Sequence, residues 1–252
     1  MDPAIPVILA ISTLSAFVFL VVGRAVTRRA VSPELKSVRD AFGLWWYGLG
    51  LTSLLGVLQI AVFVLRGNDI PMLNTIGIVS ILALCAALWG LLSYLVFLFT
   101  NSQRYRWPLA IAYGLFFVFI VYLIEVLNVQ EYHLKGYQLT SDEGESLQGS
   151  ALALGFIVAL LLPQMLAALA YLSLYPKVQD PVQRRRVLLV GLSILIWFGS
   201  AFLGLIEALA DSPWWQLASR LIGLAAAGVI YYAYTKLGST GRGARPEVGH
   251  AG

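Results

Sequence analysis

The sequence predicts an all-α integral membrane protein, a bundle of seven transmembrane helices with the N-terminus outside and the C-terminus in the cytoplasm. Three observations lead there. Of 252 residues, 59% are hydrophobic and only 12% charged, where a soluble domain carries roughly 25% charged residues. Seven long apolar runs recur along the chain, each near the ~20 residues needed to cross a hydrocarbon core. The basic residues gather in alternate connections, which is how a membrane protein records its orientation.

The runs fall at 5–23, 42–65, 73–100, 107–127, 151–175, 187–209 and 214–235. The first follows Met1-Asp2-Pro3, which lacks the positive charge of a signal peptide, so it is read as a retained anchor. Near the start of the second, Trp45, Trp46 and Tyr47 are expected at the headgroup level, as is Trp107 at the start of the fourth. The third run holds the sole cysteine, Cys85, expected to be a small packing residue. After the fourth run comes the longest connection, 128–150. Val129 to Thr140 is expected to turn a short hairpin around Lys135-Gly136, followed by an acidic turn at 141–145. Pro163-Gln164 lies in the middle of the fifth run and predicts a kink. Arg184-Arg185-Arg186 precedes the sixth run as its positive anchor. Trp214 and Trp215 open the seventh, and Tyr231, Tyr232 and Tyr234 close it. Residues 1–237 thus form one bundle, and the Gly-rich tail 238–252 is expected to be disordered.

Orientation follows from placement. Fourteen of the seventeen Lys and Arg residues lie in the connections after runs 1, 3 and 5 and in the tail. The positive-inside rule sets that side in the cytoplasm, and an odd number of spans then sets the N-terminus outside. The expected address is the cytoplasmic membrane of a prokaryote. The net charge of +4 is a topological signal, so no nucleic-acid partner is inferred from it.

Few residues here can carry chemistry. Ionisable groups within the membrane cost at least a few kcal/mol each and are the first candidates for a site. Only Glu125, Glu207 and Arg220 qualify, all in the outer part of the bundle. Glu207 precedes Pro213 by six residues and Arg220 follows it by seven. At 1.5 Å per residue both sit roughly 10 Å below the turn, at matching depth. The pair reads either as an ion pair stapling the hairpin or, with Glu125, as the polar floor of a pocket. Gln164 beside Pro163 could satisfy the freed carbonyl, contact a ligand or bond a neighbouring helix. Trp89 and Trp197, placed near the membrane centre, form the remaining ligand-pocket candidates; with Tyr94, Phe198 and Phe202 they would wall an apolar cavity. Plain core packing is the competing reading. Small residues around Gly199 to Gly204 and Gly223 to Gly228 predict close approach of helices 6 and 7. With two histidines, both outside the apolar runs, no bis-histidine haem or His-rich zinc site is expected. No cofactor, metal or catalytic residue is predicted, and the chain is not read as an enzyme.

The layout resembles the seven-helix sensor region that precedes histidine kinase and cyclase output domains in bacteria. It shares the short loops, the Arg-rich link Gln183 to Arg186, and a short turn with Pro213. The sixth run, Trp197-Phe198-Gly199-Ser200-Ala201 with Glu207, has a weaker likeness to microbial rhodopsins. The mid-helix lysine that binds retinal in that family is missing, since the region reads Gly223 to Gly228. The sensor likeness implies a receptor-like bundle that binds an apolar small molecule among membrane lipids. Because only about fifteen residues follow the last run, signalling is expected through a separate protein partner at the cytoplasmic face. An accessory subunit of a larger membrane complex and a small-molecule transporter are the alternatives.

Overall fold

A computed structural model of the chain describes residues 4–29, 33–127, 131–135, 138–141, 154–155, 157–210 and 213–237. The helices are α1 (Ala4–Thr27), α2 (Pro33–Arg66), α3 (Ile70–Thr100), α4 (Arg106–Leu127), α5 (Leu162–Leu172), α6 (Pro181–Ala210) and α7 (Pro213–Thr235). A π-helical turn, Ile157–Leu161, leads into α5, and a 3₁₀ turn, Tyr175–Lys177, leaves it. Seven helical segments among the described residues are long and apolar enough to span a bilayer. The chain is a multi-pass membrane protein with lipid-contacting helices. The tail 238–252, the acidic turn at 142–145 and the first part of the fifth run lie outside the described residues.

α1 packs on α2 and α7, α2 on α3, α3 on α4 and α5, and α5 on α6, which packs on α7. Helical period explains which residues face inward. On α1, Ser12, Ser15, Ala16, Phe19, Val22 and Val26 are buried, whereas Leu14, Phe17 and Val21 point outward. In lipid the outward face is as apolar as the core, so the helices are distinguished by close packing rather than by polarity.

α2 and α3 are 34 and 31 residues long, about 50 Å and 46 Å at helical rise. Both exceed the ~30 Å hydrocarbon core. They cross closely because glycine removes the side chain at the contact. A Cβ on Gly48 would lie 2.6 Å from the Ala87 Cβ and 2.8 Å from the Ala83 carbonyl, and one on Gly90 would collide with the Ala41 carbonyl. Polar bonds add register: Gln59 donates to the Leu73 carbonyl at 3.0 Å.

The predicted hairpin is present as β1 (Tyr132–Lys135) paired antiparallel with β2 (Gln138–Ser141), with Lys135 opposite Gln138. It docks on the α2–α3 turn. Asn68 both donates to the Tyr132 carbonyl (3.1 Å) and accepts from the Tyr132 amide (2.9 Å), and the Tyr132 hydroxyl donates to Asn74.

α6 and α7 pack tightly, as their small residues predict, but serines supply the contact. Ser200 donates to the Ser219 carbonyl (2.7 Å) while Ser219 donates to the Ser200 carbonyl (2.8 Å). Ser193 donates to the Ala226 carbonyl at 2.8 Å. Gly223 makes room for Trp197, whose ring would lie 3.0 Å from an added Cβ; Gly199 and Gly228 have nothing within 4 Å.

One expectation is corrected. Trp45 and Trp46 are fully buried, not rings of the headgroup belt. They face Phe42, Phe19 and each other. Trp107, 77% exposed, does face outward as a belt residue would.

Candidate functional site

Among the described residues, the tryptophan candidates read from the sequence lie in different clusters. Trp89 packs beside Cys85, Leu88 and Tyr113 between α3 and α4. Its indole donates to the Arg106 carbonyl at 2.9 Å, and the Arg106 guanidinium lies over its ring. That sets Trp89 level with the first residue of α4, at the basic end, not at mid-depth. Trp197 belongs to a different cluster, edge-on to Phe19 at 5.1 Å. The two tryptophans therefore do not wall one cavity. Phe198 and Phe202 stack on each other along α6. Gln164 is 3% exposed on α5 and faces the bundle interior. Arg220 is partly buried on α7. The side chains of Glu125 and Glu207 lie outside the described residues, as does any pairing of Glu207 with Arg220.

Pro163 has no N–H, so the carbonyl four residues earlier, that of Ala159, loses its helical donor. The sequence offered Gln164 as one group to satisfy this defect. The Tyr113 hydroxyl, reaching across from α4, donates to the Ala159 carbonyl at 3.1 Å. The π-turn at Ile157–Leu161 sits immediately before Pro163 and runs without a gap into α5, so the fifth span carries a local helical irregularity at this point.

The structure assembles a site that the sequence did not announce. A chain of aromatic rings crosses the bundle from α6 to α5. Trp197 touches Phe19 (5.1 Å between centroids), Phe19 touches Trp46 (5.9 Å), and Trp46 touches Trp45 (4.6 Å). Trp45 continues to Phe42 (5.6 Å), Phe42 to Tyr94 (4.6 Å), and Tyr94 to Tyr171 (6.1 Å). Tyr234 of α7 stacks on Phe42 from the other side. The hydroxyls of Tyr94 and Tyr171 hydrogen-bond at 3.2 Å, joining α3 to the inner half of α5. Within this core the indole N–H groups of Trp45 and Trp46 and the Ser93 hydroxyl are sealed from solvent with no hydrogen-bond partner among the described residues. A buried donor without a partner costs about 1–3 kcal/mol.

The chain of rings ends at the basic side of the bundle. There Arg186, 8% exposed, donates from Nε to the Ala233 carbonyl (3.3 Å) and from Nη1 to Gln183 (2.8 Å). Arg29 lies over the Tyr234 ring, 5.7 Å from its centroid. The three consecutive arginines thus differ in placement: Arg184 covers the Tyr175 ring, Arg185 is exposed, and Arg186 turns inward. Periodicity held a weak signal for this, because Arg186 precedes the buried Val190 and Ser193 on one face of α6.

Among the described residues no group of three or more His, Cys, Asp or Glu is placed to hold a metal ion. Among the described residues, the aromatic core and its basic rim offer hydrogen-bond donation, aromatic contact and positive charge. No family model matches the chain, and no curated protein or solved structure matches it either.

Proposed function

We propose that this protein is a sensor-like seven-helix bundle that binds an apolar small molecule among its core aromatics and signals through a separate partner at its basic, cytoplasmic face. The observation that supports the reading is the π-turn and Pro163 at the start of α5. Near its other end α5 carries Tyr171, which hydrogen-bonds Tyr94 within the aromatic core. Irregular helical turns of this kind recur at functional sites and hinges. A guest that repacks Trp45, Trp46 or Tyr94 would bias α5, and α5 opens directly onto the basic face. Unsatisfied indole donors favour a guest that is mostly apolar with one or two acceptor atoms. The likeness in layout to bacterial sensor regions points the same way.

One observation favours an accessory subunit instead. Trp107, Ile111, Leu115, Val118 and Tyr122 form an exposed row along α4, which packs chiefly on α3. Lipid covers such a row as readily as a partner helix does, so the sensor reading is preferred.

Native mass spectrometry of the protein released gently from its own membranes tests the proposal. A stoichiometric apolar adduct, lost in Trp45→Phe together with Trp46→Phe, is the expected result. A bundle that emerges empty under conditions that retain bound lipid would sink it.

A further inference from the structure

Arginines at the basic end of a bundle usually face headgroups or water, where their charge is solvated. Arg186 does not: it is more than nine-tenths buried between α6 and α7. A buried guanidinium is costly unless an anion or full hydrogen bonding compensates it. Of its five N–H groups, one is used by the Ala233 carbonyl and one by Gln183. Nη2 makes no hydrogen bond among the described residues.

A second cation makes the imbalance larger. Arg29, just past the end of α1, lies over the Tyr234 ring, next in sequence to Ala233, whose carbonyl Arg186 contacts, so both guanidiniums sit at the same end of α7. Arg29 is held in place from two directions. Arg39 donates to its carbonyl at 2.7 Å, and its own guanidinium rests on the Tyr234 ring. Neither Arg29 nor Arg186 forms an ion pair among the described residues, where the ion pairs are Arg39–Asp40 and Arg66–Asp69. Asp180, which caps the start of α6 through the Val182 amide, is within electrostatic reach of Arg186 and offsets part of its charge without forming an ion pair. Two guanidiniums with spare donors, both held at the Ala233–Tyr234 end of α7, supply the planar N–H forks that recognise phosphate oxygens.

We propose that Arg29 and Arg186 together hold one phosphate-type oxyanion at the basic end of the bundle. The oxyanion neutralises the buried charge and ties α1 to α6 and α7 at the mouth of the aromatic core. Either an anionic lipid headgroup or free phosphate carries the required chemistry. This site does not depend on whether the core holds an apolar guest.

The test uses the full chain in non-ionic detergent, with thermal unfolding and native mass spectrometry as readouts. Phosphatidylglycerol, phosphatidylcholine and inorganic phosphate are added separately. The expected result is retention of one phosphatidylglycerol, a thermal shift with inorganic phosphate, or both. Phosphatidylglycerol alone identifies a lipid headgroup; a response to inorganic phosphate identifies a free-anion site. Arg29→Gln and Arg186→Lys should each weaken the effect about tenfold or more, the loss expected for a charge-assisted hydrogen bond. Arg185→Gln, at an exposed position, should leave it unchanged. The part-exposed Arg29 provides a variant that folds even if the Arg186 variant does not. Arg29→Gln binding as tightly as the unaltered protein would overturn the proposal, as would phosphatidylcholine matching phosphatidylglycerol with no effect of phosphate.

Discussion

Pro163 cannot donate to the Ala159 carbonyl, and the Tyr113 hydroxyl donates there in its place. This exchange of one donor for another makes a sharp prediction at the scale of single residues. Tyr113→Phe should cost about 1 kcal/mol of stability in detergent, the ordinary worth of such a bond. In a Pro163→Ala background the restored N–H can serve the carbonyl itself, so the same Tyr113→Phe change should cost much less. A thermal-unfolding double-mutant cycle reads the coupling directly; additive effects would show that the tyrosine is not repairing the proline. Pro163 was visible in the sequence as a kink, but its partner was not. Tyr113 lies fifty residues away, and only the fold brings it to α5. Trp45 and Trp46 were misplaced for a related reason. Near the end of an apolar run, a tryptophan that anchors a helix and one that fills a core have the same local sequence.

At the scale of elements, close helix crossings rest on where glycine stands. Gly48 lies at the α2–α3 crossing with the Ala87 Cβ and Ala83 carbonyl in the space its side chain would fill. Gly56, two turns along the same helix, has nothing within 4 Å. Gly48→Ala should therefore destabilise by about 1–3 kcal/mol, the usual cost of overpacking. Gly56→Ala should be neutral or stabilise by about 0.5–1 kcal/mol, because alanine is the better helix former. Unfolding of both variants in one detergent checks the contrast, and equal effects would contradict the crossing. The helices themselves were legible because seven apolar runs near the length of a bilayer have no other soluble arrangement. Observed ends extend the predicted ones mainly at the polar flanks, where α2 starts at Pro33 and α6 at Pro181. Hydropathy cannot mark those turns because they are helical but no longer apolar. The small residues of runs 6 and 7 announced a close pair correctly, yet which of them touch was decided by rotation about the helix axis. Ser193, Ser200 and Gly223 face the contact, whereas Gly199 and Gly228 do not.

For the whole molecule, the parts form one route. The aromatic chain starts at Trp197, passes the buried indoles, and ends at the tyrosine pair that holds α5 beside the basic rim. None of these contacts follows a sequence motif, since they join residues from six helices, and charge scarcity had directed attention to Glu125, Glu207 and Arg220 instead. Under the proposed sensor reading, the core and the basic face would be coupled through α5 and the π-turn that precedes it. The direct measurement is a distance. With Cys85 replaced by alanine, spin labels at the exposed Asn101 and Lys177 report the separation of the basic ends of α3 and the fifth span. Pulsed electron resonance compares the protein as extracted with protein stripped of its bound small molecules. The account predicts that stripping shifts the distance distribution by about 2 Å or more, or splits it in two, as expected for a helix that moves between registers. A single distribution, unchanged by stripping, would contradict it.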